Sequence, residues 1–530
     1  MKKLIQYFCV ALVLSSVCLK AMAGKSDKQQ QRIVVAYVCS WTDLRLPDPT
    51  LMTHINYAFG HVKNTFDGCD VQNPPFLRQV VALKEKNPSL KIQLSVGGWT
   101  SGNFSEMAAD PQKRMSFAKD CARIVKEYGL DGIDIDWEYP TSSAAGISSS
   151  PDDTRNFTLL MRDLRKTLGK NKLLTAATVA DGKYIDFRSC LKYMDFVNIM
   201  AYDTANPPRH HTTLVRSSLS GRLTVEESID AHIAAGVPPE KLTLGMPLYG
   251  RGAGSDKVLQ KYVKTQNDGG KFLYQWDPVG KVPYLTDKTG RLVLAFDNAE
   301  SLAAKCQMII DRGLLGGMYW ECTEDNAQLD EMKTIYLSLL ANGKASVPKK
   351  QVLVVTDNPD DQMTRGAIRL LKMKGDQMGF EVSELSSPND YKEGLFAKHH
   401  LVVNLLSDIN KLNETAKTEL NKYVQTGQGS YLSYFEVKPL PTPPFRGRPR
   451  EEKKTTGWEW YDNLCENLSV PSIEGSSLKI DGVTTQYLWT NNEQLGRTLF
   501  VCWNEQLPRP EREEAATMFE NALNWLLHNH

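Results

Sequence analysis

The 530-residue sequence carries no strong charge of either sign: 63 Lys and Arg stand against 62 Asp and Glu, a formal net charge of +1. That balance, little altered if Lys2, Lys3 and Lys20 are lost with a leader, argues against a nucleic acid or an anionic membrane as partner. No apolar run approaches the roughly 20 residues of a membrane-spanning helix, so no span is expected. Cysteine is scarce and scattered. The ten residues include no Cys-x-x-Cys pair, which excludes a dense disulfide scaffold and a structural zinc site. The nine histidines form no His-Glu-x-x-His pattern, and His210-His211 reads as a loop pair. No phosphate-binding loop is present, and Gly250-x-Gly252-x-Gly254 lacks both the spacing and the following helix of a dinucleotide fingerprint. Neither metal nor cofactor is expected.

What remains is an ordinary globular composition, 41% hydrophobic and 24% charged, with length for two to four domains. Lys2-Lys3, an apolar stretch over residues 4–17 and Ala21-Met22-Ala23 match a secretory signal cut after Ala23. Export, to the periplasm or beyond, is the expectation. A lipoprotein anchored through Cys18 fits less well, because Val17 replaces the small residue such processing prefers. Residues 24–31 form a polar lead-in. Past Cys9 and Cys18 lie Cys39, Cys69, Cys121, Cys190, Cys306, Cys322, Cys465 and Cys502, mostly in apolar contexts that suit buried thiols. Whether any two oxidise after export is left open.

The informative stretch is Asp131-Gly132-Ile133-Asp134-Ile135-Asp136-Trp137-Glu138. Acids alternate with apolar residues at the two-residue period of a strand. Asp134, Asp136 and Glu138 therefore share one face, with Ile133, Ile135 and Trp137 on the other. Like charges about 4 Å apart repel by roughly 4 kcal/mol at an effective dielectric near 20, or about three pKa units. Such a row shares protons and keeps one acid neutral near pH 7. A neutral carboxylic acid at a strand end can protonate a leaving oxygen, as a glycosidase requires. The bland alternative is a solvated acidic strand.

Strand-like runs recur at Ile33–Val38, His54–Phe59, Lys91–Val96, Ile133–Trp137, Leu174–Val179, Phe196–Ala201, Leu242–Pro247 and Gly317–Trp320. Helical patterns such as Pro111–Tyr128, closed by Gly129, and Asp153–Leu168 separate them. Eight such alternations over 32–343 predict an α/β fold, a (β/α)8 TIM barrel with its site at the strands' C-terminal ends. That puts Glu138 at the top of strand four and Asp134 in the barrel interior. Residues 252–296 interrupt the alternation as a short insertion between strands seven and eight. A polar linker at 344–350 precedes a smaller flavodoxin-like α/β unit over 351–530. Its strands and helices are expected at Val352–Val355, Arg365–Met378, Leu401–Leu405, Asn413–Tyr423 and Ser430–Tyr434. A Pro/Arg-rich loop (439–454) and a closing helix (515–527) complete it.

The octet resembles the signature of family 18 glycoside hydrolases, the chitinases and their relatives. Further matches come in order: Ser95-Val96-Gly97-Gly98-Trp99, Met200-Ala201-Tyr202-Asp203, Met246-Pro247-Leu248-Tyr249-Gly250-Arg251 and Gly316-Gly317-Met318-Tyr319-Trp320. The resemblance implies Glu138 as general acid, with Asp136 redirecting its proton. Tyr202 then contacts the substrate's acetamido group, and Asp203 holds the sugar and polar neighbours near Glu138. The family is among the substrate-assisted exceptions to two-carboxylate catalysis. The rival reading makes Asp203 a true nucleophile. Trp320 becomes the floor beneath the reacting sugar, with Trp99, Gly98, Met200, Tyr249 and Arg251 as cleft residues. Tyr37 and Phe59 are floor or core candidates. Trp41 and Trp276 suit sugar stacking, whereas Trp137, opposite the acids, belongs to the core. The family's cleft-wall insertion looks shortened, which weakens the expectation of a deep tunnel. The implied partner is chitin or an N-acetylglucosamine oligosaccharide.

Residues 350–530 more faintly resemble the trehalose-utilisation branch of the glutamine-amidotransferase-like fold. The carriers are Thr426-Gly427-Gln428-Gly429-Ser430, Gly457-Trp458-Glu459-Trp460-Tyr461 and the closing Trp503-to-Leu527 segment. Tyr434 stands where that branch has His and no Cys replaces it, so this half is expected to be non-catalytic, with Trp458, Trp460 and Tyr461 as glycan-binding or core residues. Three functions compete for the whole. One is a secreted chitinase. Another is an endo-β-N-acetylglucosaminidase acting on glycoprotein N-glycans, and a third is a non-hydrolytic chitin-binding lectin. The strand-seven and strand-eight matches favour the first, and the intact Glu138 counts against the third.

Overall fold

The computed structural model describes residues 32–41, 43–253, 257–266, 271–406, 411–436, 478–480, 483–485, 488–490, 498–503, 523 and 526–527. The expected leader and lead-in, the 439–454 loop, Trp458, Trp460, Tyr461, Cys465 and most of the expected closing helix lie outside the described residues.

Eight parallel strands close into a barrel: Ile33–Cys39, His54–Val62, Lys91–Gly97, Gly132–Asp136, Leu173–Val179, Phe196–Met200, Leu242–Pro247 and Gly316–Trp320. Each pairs with its neighbours in chain order, and the first pairs with both the second and the eighth, which closes the ring. Nearly every strand residue is buried, as expected where helices cover a parallel sheet. The architecture is the (β/α)8 barrel. A short strand not foreseen, Cys69–Val71, turns back antiparallel onto Gly60–Val62.

The outer helices follow their local signals. In Pro111–Tyr128 the Asp110 carboxylate accepts hydrogen bonds from the Gln112 and Lys113 amides at 2.7 and 3.1 Å, and Pro111 needs no such partner. Gly129 ends the helix at φ 68°, in the left-handed region. Arg114, buried on this helix, reaches Asp163 of helix Asp153–Leu168 at 2.8 Å and ties the two together. Trp137 lies in the core, 2% exposed and stacked 5.3 Å from Phe104.

The expected insertion is present. Strands Arg251–Gly252, Leu273–Asp277, Val282–Thr286 and Leu292–Ala295 form an antiparallel sheet, accompanied by helix Lys257–Thr265. After the barrel comes a second sheet, Lys350–Val355, Phe380–Leu385, Leu401–Asn404, Ser430–Glu436, Leu488–Thr490 and Thr498–Trp503. Its first strand lies between the second and third, and all pairings but the last are parallel, the arrangement of doubly wound sheets. The stretch read as a linker is pinned. The Ser346 amide donates to Ser338 Oγ at 2.9 Å, and Lys350 pairs with Asp330 at 2.7 Å. Cysteines 39, 69, 121, 190, 306 and 322 are buried and unbridged. Among the described residues no helix is long and apolar enough to cross a membrane.

Strands four and five approach so closely at Gly132 that an added Cβ would lie 2.1 Å from the Leu173 carbonyl oxygen. Neither backbone can yield without breaking the ladder. Gly132→Ala is therefore expected to cost about 2–3 kcal/mol through overpacking and to lower the melting temperature by about 5–10 °C in scanning calorimetry. An unchanged melting temperature would contradict the close approach.

Candidate active site

The strand ends open into a cavity of about 870 Å³ at the C-terminal face of the barrel. The acidic row rises into it in three steps. Asp134, wholly inside the barrel, accepts hydrogen bonds from Tyr37 at 2.7 Å, Ser95 at 2.8 Å, Thr175 at 2.6 Å and Asn198 at 3.2 Å. Burial raises its pKa, and these four donors work against that rise. Asp136, next up, lines the cavity, and its Oδ1 has no partner among the described residues. Burial pushes its pKa well up, with the charges of Glu138 and Asp134 adding to the effect. A buried carboxylate oxygen without a donor favours protonation.

Glu138 sits two residues past the end of the strand and faces the cavity. Its pKa is raised to about 7, chiefly by burial; a hydrogen bond with Tyr139 opposes the rise and the Asp203 charge adds to it. The sequence reading assigned the effect to repulsion along the row. Desolvation leads instead; repulsion between Asp136 and Glu138 adds to the rise of Asp136, and the Asp203 charge adds to that of Glu138.

Asp203 lies three residues past the end of strand six and is bound on several sides. Tyr249 donates to it at 2.8 Å and Arg251 Nε at 2.6 Å, with Arg251 Nη2 closing a second contact. The side chain is held well below the usual carboxylate range, the Arg251 and His211 contacts outweighing burial. Tyr202, in the cavity wall, lies edge-on to Tyr249 with ring centroids 6.1 Å apart.

Aromatic rings line the opposite wall. Trp41 stacks on Phe59 at 5.6 Å and Phe59 on Trp320 at 5.7 Å. Trp99, 57% exposed, stands at the rim 6.5 Å from Tyr139. Of the residues singled out by sequence, Asp136, Glu138, Met200, Tyr202, Asp203, Phe59, Trp99, Trp320, Tyr249 and Arg251 converge on this cavity, together with Trp41. Four do not line it. Asp134 lies beneath it, and Tyr37 is 2% exposed, its hydroxyl spent on Asp134. Gly98 serves through its backbone: at φ +93° it donates to the Asp136 carbonyl at 2.9 Å, and a Cβ there would meet the Phe59 ring at 2.4 Å. Trp276 is half-buried in the insertion sheet, away from the cavity. Tyr139, His61, Gln72, Asn206 and Arg222 also line the cavity and were not read from sequence. Tyr139 adjoins Glu138 and could have been found by adjacency; His61 comes from the end of strand two, and Gln72, Asn206 and Arg222 arrive on loops with no local signal. Among the described residues no group of three His, Cys, Asp or Glu is placed to hold a metal ion.

A family model described as glycosyl hydrolases family 18 matches residues 33–325. The chain belongs to that family. It is 28% identical over 429 residues to Chitinase A1 of Niallia circulans, covering 61% of this chain and 61% of that protein. The chain thus spans less than two thirds of that relative. It is 30% identical over 346 residues to mouse Chitotriosidase-1, over 54% of this chain and 72% of that protein. The fold is similar to that of a family 18 N-acetylglucosaminidase from Paenibacillus barengoltzii, with 33% identity and a TM-score of 0.53, over 58% of this chain and all of that one.

The raised Glu138 pKa has a consequence for stability. Below its ordinary value of 4.5 the group is protonated in both folded and unfolded chains; above about 7 the folded protein must ionise a buried acid. Stability should therefore fall as pH rises through that window, by on the order of 3 kcal/mol from this group. Glu138→Gln, which cannot ionise, is expected to melt near the wild type at pH 4 and well above it at pH 8, by thermal scans at both pH values. Parallel curves at both would show that Glu138 is not desolvated.

Proposed function

We propose that the chain is an exported chitinase-type hydrolase that cleaves β-1,4 links between N-acetylglucosamine units, with retention and by substrate assistance. The observation that carries the reading is the placement of acids around the cavity. Its carboxylates are Asp136, Glu138 and Asp203 among the described residues. Asp136 lies two residues before Glu138 at the same strand end, and Asp203 is engaged by Arg251 and Tyr249. None is free to attack the sugar from the face opposite Glu138. The substrate's own acetamido oxygen supplies that nucleophile.

In this reading Glu138, which keeps its proton up to about pH 7, donates it to the bridging oxygen as the C1–O bond breaks. The acetamido oxygen closes on C1 and forms an oxazolinium ion, whose N–H donates to the unpartnered Asp136 Oδ1 and which Tyr202 orients. Glu138, now a carboxylate, takes a proton from water as that water opens the ring at C1, and the β-configuration is regained. Trp320, Phe59 and Trp41 offer flat apolar faces to the sugar rings, Trp99 extends that platform to the rim, and Met200 fills the wall below. Relatives named as chitinases support this choice of substrate. The similar N-acetylglucosaminidase structure keeps open the release of single N-acetylglucosamine units. The leader ending at Ala23 supports export, and the absence of His or Cys where Tyr434 stands supports a non-catalytic role for residues 351–530.

Glu138→Gln is expected to lower turnover of N-acetyl-chitooligosaccharides by at least about a thousandfold while calorimetric affinity for them is kept. NMR of the first product should show the β-anomer, and kcat/KM should fall above about pH 7 as Glu138 loses its proton. An α-anomer, or cleavage of a high-mannose glycoprotein and not of the oligosaccharides, would overturn the reading.

A further inference from the structure

His210 and His211 have no place in the proposed reaction, and the sequence offered them only as a loop pair. The structure buries both completely. His211 Nδ1 lies 3.3 Å from Asp203 Oδ1 and 3.4 Å from the Asp203 main-chain nitrogen. Its carbonyl accepts from the Thr204 amide at 3.3 Å and from Thr204 Oγ1 at 3.0 Å. One residue thus grips Asp203 and its successor through both side chain and backbone. Asp203 needs such a grip, because its φ of +58° is in the left-handed region, which a residue with a Cβ holds where the surroundings over-determine it.

His210 extends the contact outward. Its Nδ1 accepts from the Thr212 amide at 3.2 Å, so Nε2 carries the proton and points at the Pro283 and Phe296 carbonyls, 3.1 and 3.2 Å away. Both carbonyls belong to the insertion, and the two imidazoles stack at 5.6 Å. His211 also packs on the Tyr249 ring at 5.7 Å. The charged or titratable groups facing it are Asp203, Asp297, Lys305 and His210; burial dominates and keeps it neutral, with the two aspartates opposing. It does not line the cavity.

We propose that His211 is a positioning residue that holds Asp203 in its left-handed backbone conformation, with the carboxylate turned to Arg251, Tyr249 and the cavity, while His210 makes the insertion part of the same brace. This rests on the reading that Asp203 acts on Glu138. The Asp203 charge is one of the influences raising Glu138, so a slackened Asp203 lets Glu138 ionise at lower pH.

The test compares three variants of the full chain with the wild type. His211→Phe keeps the ring and its packing but loses both nitrogens. His211→Asn places an amide where Nδ1 was, and His211→Gln moves that amide to the Nε2 side. Expected for Phe and Gln are a fall in kcat of about tenfold with KM little changed and a basic limb of the pH profile displaced to lower pH; Asn restores most of both. Wild-type kcat and pH profile in His211→Phe, or equal behaviour of Asn and Gln, would overturn the proposal, and the Asn–Gln contrast decides the matter even if the Phe variant does not fold. A ¹³C titration of the Glu138 carboxyl should show the same downward displacement in Gln relative to Asn without any substrate. A wild type that hydrolyses no N-acetylglucosamine oligomer would sink the functional reading and leave that titration standing.

Discussion

One ionisable group in the middle of a barrel conditions everything above it. The Asp134 carboxyl has no access to water, and burying an unpartnered carboxylate would cost far more than a domain can spare. It survives because strands one, three, five and six each send it a donor: Tyr37, Ser95, Thr175 and Asn198. These four hydrogen bonds are at once the satisfaction of the acid and a cross-brace between strands far apart in the chain. They also leave Asp136, one step up, without an equivalent set of donors, so the need for a proton is passed toward the cavity.

The approach of strand three to strand four serves the same end. A Cβ on Gly97 would lie 2.0 Å from the Asp136 carbonyl oxygen, a separation only glycine permits. That close packing keeps water from the flank of the acidic row, and exclusion of water is what raises these carboxyls most. Across the cavity the opposite arrangement prevails. Asp203 is surrounded by donors and stays ionised. Two acids on facing strand ends are thus driven to opposite protonation states by their surroundings, which is how acid and base roles are separated at one pH.

The barrel is joined firmly to the second sheet. Gln328, in the loop after strand eight, has its amide within 3.1 Å of the Ala397 carbonyl, 2.9 Å of His399 and 2.7 Å of Gln428. Asp330 accepts from His400 Nε2 at 2.9 Å and from Lys350 at 2.7 Å. Against the rise that burial would bring, Lys350 and His400 hold the Asp330 carboxyl well below its usual range. A side chain whose donors are spent on backbone from the other half is a fixed joint.

The chain itself determined the periodicities, and with them the eight strands, their helices and the shared face of Asp134 and Asp136, because alternation and capping are local and legible one residue at a time. It also determined that Trp137 faces the core. Tertiary structure alone decided which polar residues meet. Tyr37 turned out to be a donor to a buried acid and Trp276 to lie off the cavity, while Tyr139, Asn206 and Arg222 reached it. It decided too that desolvation, more than repulsion along the row, holds the proton on Glu138, and that two loop histidines lie buried behind Asp203. Burial and hydrogen-bond partners depend on segments tens of residues apart closing on one point, and no local pattern encodes that closure.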